Sequence, residues 1–384
     1  MKVWKSILPY ALLLAGMLYV ADYALAQVAT PDEAIALEQQ GKLDESAEAW
    51  RAVTKQNPRD ARAFASLGVV LSKQEKYQEA ANAYKQALAL SPHLPGIQLN
   101  LGLAEYKQGY FPEAIISFKA ALRQDPNNPQ INALLGFSYY GARRFPDAVK
   151  YLQPLAKADV NNAELHQMLA ESCLRSKQYI CAQEEFQKIL QQNPNSVSAH
   201  ILMGEALDGL DRTPEAIVEF QAALKVSPQE PNVHFGLGYL YWKSRQYDDA
   251  KREFEAELAL DSKSGQSLTY LGDIEIKNDH PDAAVSFLKR ATEMDHDIRV
   301  AYIDLGAALT VLKQYKEAVP ALQRAVELDP TRPDAHYRLG RVYQAMGNTE
   351  ESKKEFAKVK ELHEKADEDV LLPKMPVPPT NSHP

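Results

Sequence analysis

The stretch HFGLGYLYWKSRQYDDA runs from His234 to Ala250. It carries a histidine, a Gly-Leu-Gly and several aromatic residues, and it closes on an acidic pair. Taken alone it reads as a cofactor pocket, a phosphate loop or an ordinary packed helix. What recurs around it decides between these. Stepping from Ala250 by 34 residues in both directions gives Ser46, Ala80, Ala114, Ala148, Ala182, Ala216, Ala284, Ala318 and Ser352, all small. Four residues further on, the same step gives Trp50, Tyr84, Phe118, Leu152, Phe186, Phe220, Phe254, Leu288, Leu322 and Phe356, all large and apolar. Twelve residues before the alanines stand Gly68, Gly102, Gly136, Ala170, Gly204, Gly238, Gly272, Gly306 and Gly340, each preceded by Leu or Met. A proline column (Pro58, Pro92, Pro126, Pro194, Pro228, Pro330) closes many of the units. Agreement of several columns at one period is the signature of a repeat architecture.

Elementary packing explains the columns. Each unit reads as two helices joined by a tight turn such as Ser244–Tyr247. Small residues in the glycine and alanine columns let the two helices approach, and the large apolar column fills the space beside them. Proline ends the second helix because it cannot continue one. An acidic column (Glu45, Glu79, Glu113, Asp147, Glu215, Asp249, Glu317, Glu351) opens each second helix, where negative charge complements the dipole by about 0.3–1 kcal/mol. One unit cannot bury its apolar face alone, so neighbours must stack into a solenoid.

These residues resemble the tetratricopeptide repeat family. The resemblance covers residues 27–366 as ten units without insertions, at about 27–60, 61–94, 95–128, 129–162, 163–196, 197–230, 231–264, 265–298, 299–332 and 333–366. It implies an all-α right-handed superhelix of helix-turn-helix repeats. Val160, Ser262 and His296 depart from the closing proline, and the first unit has Glu33 and Ala34 in place of Leu-Gly. A shorter opening helix is predicted there, starting at the capping-box stretch Thr30-Pro31-Asp32-Glu33. The last helix is predicted to run on to about residue 369 as a cap, followed by a proline-rich, disordered tail over 370–384.

The first 26 residues belong to something else. MKVWK is basic, Ile7–Val20 is a short apolar run, and Ala24-Leu25-Ala26 precedes Gln27. Together they read as a secretory signal cut between Ala26 and Gln27, giving a periplasmic or extracellular protein. The alternative is an uncleaved membrane anchor, although the run is short of the roughly 20 residues a span needs. Net charge is −8 and no basic cluster is present, which argues against nucleic acid as a partner.

No catalytic residue, cofactor or metal site is predicted. Gly236 and Gly238 lack the third glycine and the strand of a dinucleotide fingerprint. His166, His200, His234 and His336 share one repeat position, so stacking would hold them about 10 Å apart, beyond shared metal ligation. They are expected to pack as partly buried rings. Cys173 and Cys181 lie eight residues apart across a turn, and an oxidising compartment favours a disulfide between them. Against that, Cys173 shares a core column with Tyr139, Leu207 and Tyr241, while Cys181 falls in the acidic, outward column.

The function expected is a non-enzymatic scaffold for a peptide or partner protein. In the resemblance, a second face of each first helix lines a concave groove. Carried over by column, that face holds Leu99, Leu103 and Tyr106, then Phe137 and Tyr140, and later Phe235, Tyr239 and Trp242. Glu171, Glu205, Asp208 and Asp273 stand between and beyond them. Such a groove suits an extended peptide with apolar anchors and basic residues between them. The residues by which some family members clamp chaperone tails are absent: Ala65, Val69, Leu99 and Leu103 stand there, with only Asn100 polar. The alternative function is a structural or assembly role in envelope polysaccharide export or in pilus or secretion machinery, with groove aromatics touching glycan.

Overall fold

The computed structural model describes residues 29–371, with side chains from 29 to 365. The signal segment, its Ala26–Gln27 cleavage site and residues 372–384 of the expected tail lie outside that range. Among the described residues there are twenty helices and no strand. The chain forms an α-solenoid of tandem helix pairs, and its described residues fall into two compact units divided between Gln178 and Tyr179. The boundary falls in the turn of the fifth repeat, inside what the sequence reads as one continuous array.

The first unit opens with Pro31–Gln39, shorter than the 13-residue first helix Ala61–Lys73 of the next repeat. Its start is set as the sequence predicts, with Thr30 Oγ1 accepting the Glu33 amide at 3.2 Å. The second unit ends with Thr349–Leu371, which takes in the first two residues of the expected tail.

Second helices are uniformly 14 residues from Leu43–Gln56 to Tyr315–Leu328. The pairing rests on the glycine column. A methyl group added at Gly68, Gly102, Gly204, Gly238 or Gly306 would sit 2.5–2.8 Å from the ring or branched side chain sixteen residues later. Tyr84, Phe118, Phe254 and Leu322 are fully buried in that position.

The turns carry a column that composition hides. Gly41, Glu75, Gly109, Arg143, Lys177, Asp211, Arg245, Asp279, Lys313 and Gly347 lie one period apart, and all have φ between 57° and 82°. The left-handed residue lets the next amide reach back to the helix: Gln246 N–H bonds the Tyr241 carbonyl and Arg245 N–H that of Trp242, both at 2.9 Å. This is the helix-ending hydrogen-bond pattern in which glycine is favoured, yet seven of the ten positions are not glycine.

The histidine column is built as a brace rather than as plain ring packing. His200 Nδ1 meets Glu219 at 2.6 Å, His234 Nδ1 meets Glu253 at 2.7 Å, and His336 Nδ1 meets Glu355 at 2.6 Å. Each glutamate lies on the second helix of the same repeat, so the pair ties the two helices together. Among the described residues no three His, Cys, Asp or Glu side chains gather as metal ligands, and no helix is long and apolar enough to cross a membrane. Neither cysteine is free: Cys173 and Cys181 are both disulfide-bonded. Cys181 is half-buried instead of facing outward, as its column implied.

Candidate partner-binding groove

The site is set by how one helix begins. In repeats two, four, five, six and eight the residue before the first helix caps it through its side chain, as Ser196 caps Val197–Gly209. Repeat seven has Glu230 in that place, and its first helix, Val233–Lys243, starts two residues later than the period predicts, after Asn232 at φ 64°. The orphan amides are satisfied from elsewhere. Glu257, only 3% exposed, accepts Asn232 N–H at 3.3 Å and Phe235 N–H at 3.1 Å. Other repeats hold Ala, Val, Leu or Ile at this position, as in Ala121, Ala223 and Ala291. A buried carboxylate at a helix N-terminus meets unpaired amides and the positive end of the dipole, which offsets its desolvation.

From that start the helix presents Phe235, Tyr239 and Trp242 on one face. With Gln266, Thr269, Tyr270 and Asp273 from Gly265–Lys277, Ile298 at the end of the same repeat, and Val300 and Asp304 from the next repeat, they line a cavity of about 560 Å³. The rings form a connected group centred on Tyr270. Its centroid lies 5.0 Å from Trp242 at 72°, 5.9 Å from Tyr239 at 74° and 5.8 Å from Phe235 at 60°, all edge-to-face. Tyr270 also stacks on buried Phe254 at 5.3 Å and 13°. Phe235, Trp242 and Tyr270 thus pack on the core around Phe254 while facing the cavity. Tyr239 touches the cavity and its fellow rings without belonging to that core group.

The acids expected to meet basic residues are engaged within the chain. Asp273 accepts Trp242 Nε1–H at 2.5 Å and pairs with Lys277 Nζ at 2.6 Å. Asp208 pairs with Lys243 at 2.8 Å, Glu171 accepts the Tyr140 hydroxyl, and Glu205 also has a partner. The exception is a residue the column reading missed. Asp304 lines the cavity and makes no hydrogen bond or ion pair among the described residues. Burial pushes its carboxyl up to about 6; Asp273 adds to the rise, while Arg338 and Lys277 oppose it. Tyr270, also missed, is raised by burial first and then by Tyr239 and Asp273. Both missed residues fall in a column that reads Asn100, Leu134, Leu202 and Gly236 elsewhere. No periodic signal marks it as groove-lining.

The first unit holds the other expected patch. Leu99, Leu103, Tyr106, Phe137 and Tyr140 are all half-buried. Tyr106 packs edge-on against Phe111 at 5.5 Å, and Tyr140 against Phe145 at 6.3 Å, each ring belonging to the second helix of the same repeat. The Tyr140 hydroxyl is pushed up to about 12 by burial and by the Glu171 carboxylate it donates to.

Sequence comparisons agree with this architecture. Tetratricopeptide repeat models match residues 32–95, 67–129 and 235–297, 105–171 and 333–365, and a TPR repeat model matches 210–244 and 306–347. No curated protein matches the chain at a significant level. Among solved structures, YrrB, described as a TPR protein with an unusual peptide-binding site, aligns at 23% identity over 50% of this chain and 98% of its own, with a TM-score of 0.41. MamA from Desulfovibrio magneticus RS-1 aligns at 21% over 44% and 95%, with a TM-score of 0.39. The Cut9–Hcn1 hetero-tetramer structure of the APC/C aligns at 14% over 86% and 79%, with a TM-score of 0.47. With its period, its paired helices and matches spread over both units, the chain belongs to the tetratricopeptide repeat family.

Proposed function

We propose that this protein is a non-enzymatic scaffold that captures a peptide or partner protein on the first-helix face of repeats seven to nine, in an exported compartment. Solenoids of this kind offer extended faces for partners. The observation that carries the reading is the cavity lined by Phe235, Tyr239, Trp242 and Tyr270: four aromatic rings around one open volume provide large, rigid contact area. Export is supported by the basic, apolar and small-x-small order of residues 1–26 and by two cysteines that are both disulfide-bonded, the state an oxidising compartment maintains.

The test is affinity capture from the native envelope and extracellular fractions with wild-type protein and the Tyr239→Ala variant side by side. The groove reading expects a defined partner with wild type and its loss with the variant, while both show the same helical circular dichroism. Equal capture by both proteins removes the groove. N-terminal sequencing of the native chain checks export: a start at Gln27 is expected, and an intact Met1 overturns cleavage.

A further inference from the structure

We propose that the cavity of repeats seven to nine is a cage for a cationic side chain, arginine or lysine, of the captured peptide, with Tyr239, Trp242 and Tyr270 as its walls and Asp304 as its counter-charge. The inference deepens the groove reading and rests on it. A purely apolar anchor would want a cavity free of carboxylates, because burying an unpaired one beside it costs free energy. A cation is attracted by ring faces and by a carboxylate together, and both attractions strengthen as water leaves.

The charges around the cavity single out Asp304. Asp273 is already neutralised by Lys277 and bonded to the Trp242 indole N–H. Lys277 also sits 5.6 Å from the Trp242 centroid, so a ring of this group already accommodates an ammonium. Arg338 acts on Asp304 from the following repeat, but it is exposed and does not line the cavity. Tyr239 and Tyr270 line the cavity with rings that carry hydroxyls, and burial raises the Tyr270 hydroxyl above its ordinary value. What remains is one carboxylate, facing the cavity without a hydrogen bond or ion pair among the described residues.

Titration gives the cage a signature. The Asp304 carboxyl is held at about 6, above its ordinary 3.8, by burial and by Asp273. A raised acid favours the folded protein in its protonated form. The stabilising contribution is fully present below the unfolded value and is lost as pH rises through about 6. Capture of a cation needs the ionised form and therefore strengthens over the same rise. Free-protein stability and cation binding move in opposite directions across one window, and Asp304→Asn flattens both.

The probes are a short glycine–serine host peptide with one central arginine and the same peptide with citrulline, its neutral isostere. Binding is followed by calorimetry at pH values on either side of 6. The cage expects arginine to bind about tenfold tighter than citrulline above that pH. The preference is expected to shrink below it and to vanish in Asp304→Asn, whose melting temperature stays level or rises at neutral pH. Equal binding of the two peptides overturns the cage, as does a preference that survives Asp304→Asn or no binding of either at millimolar concentration. Choline competing as well as the arginine peptide would assign the cage to small quaternary amines and overturn the peptide commitment. The two readings fail separately: if the two peptides bind alike and both are lost in Tyr239→Ala, the groove stands and only the cage is gone.

Discussion

Repeats three and four and repeats seven and eight use the same columns to opposite ends. In the first pair, Tyr106 and Tyr140 lean on Phe111 and Phe145, and the Tyr140 hydroxyl donates to Glu171. In the second pair, Trp242 stands where Tyr106 and Tyr140 stand, but its ring partners are Tyr239 and Tyr270. Tyr270 draws them together from a column that is Asn100 and Leu134 in the first pair. The helix starts differ as well. Repeat three passes through Gly96 at φ 76° and has Ala121 at the position equivalent to Glu257; repeat seven passes through Asn232 at φ 64° and has Glu257 holding two amides. A repeat position therefore fixes which face a ring occupies. What the ring does there depends on neighbours contributed by the next repeat.

The largest expected effect separates the two patches by function. Tyr239→Ala with Trp242→Ala is expected to weaken partner capture by about 2 kcal/mol or more, roughly thirtyfold. Tyr106→Ala with Tyr140→Ala is expected to leave capture intact and to lower stability, about 0.5–1.5 kcal/mol for each ring pair beyond the buried area. Titration calorimetry with the captured partner and chemical denaturation of all proteins check both. Because Trp242 packs near Phe254, the double variant will also unfold somewhat earlier, and Tyr239→Ala alone is the cleaner probe. Equal loss of capture from the two double variants would erase the functional distinction.

The next effects concern what holds the second patch in place. A methyl group at Gly238 would lie 2.8 Å from the ring of Phe254, which is fully buried and stacked on Tyr270. Gly238→Ala is expected to cost about 1–3 kcal/mol and to disturb the cavity with it. Gly102→Ala, 2.6 Å from Phe118, should cost a similar amount without touching capture. Glu257→Ala leaves the Asn232 and Phe235 amides without an acceptor in a partly buried site, about 1–3 kcal/mol of local stability. Hydrogen exchange is expected to accelerate at residues 232–236 in this variant. Unchanged protection there would show that water or another group can take over the cap.

The frame of this molecule was legible from spacing alone. Gly238 with Phe254, or Gly306 with Leu322, announces a close helix pair because the contact lies within one repeat and recurs in nearly all. The groove was legible only in part. Phe235, Tyr239 and Trp242 were readable as a face, since they follow the helical period on one helix. Tyr270 and Asp304 were not, because their role arises only where three repeats meet and their column carries no consistent chemistry. Asp273 and Asp208 were visible as acids, but the lysines that engage them, Lys277 and Lys243, lie in other turns or other repeats. Glu257 had a signal that a column reading can use: it is a carboxylate in a run of Ala, Val, Leu and Ile, and such an exception needs a partner.

The smallest expected effect tests whether the two regions differ in their frame at all. Arg143 and Arg245 occupy the same turn position, one in each unit, with φ of 57° and 60°. For a residue with a Cβ the left-handed conformation costs about 1–2 kcal/mol, because Cβ crowds the following carbonyl. Glycine removes that strain but brings a more flexible unfolded chain, so only part of the gain survives. Arg143→Gly and Arg245→Gly are each expected to stabilise the protein by about 0.5–1 kcal/mol, and Gly347→Ala, at φ 82° in the same turn of the last repeat, to destabilise it by a similar amount. Chemical denaturation of the three variants checks the set. If the turns are one device repeated, the two arginine variants will match each other and partner capture will stay at the wild-type level in both. A gain at Arg143 with a loss at Arg245 would mean that the turn following the Trp242 helix is held for a reason of its own, and the distinction between the units would then extend from the side chains to the backbone.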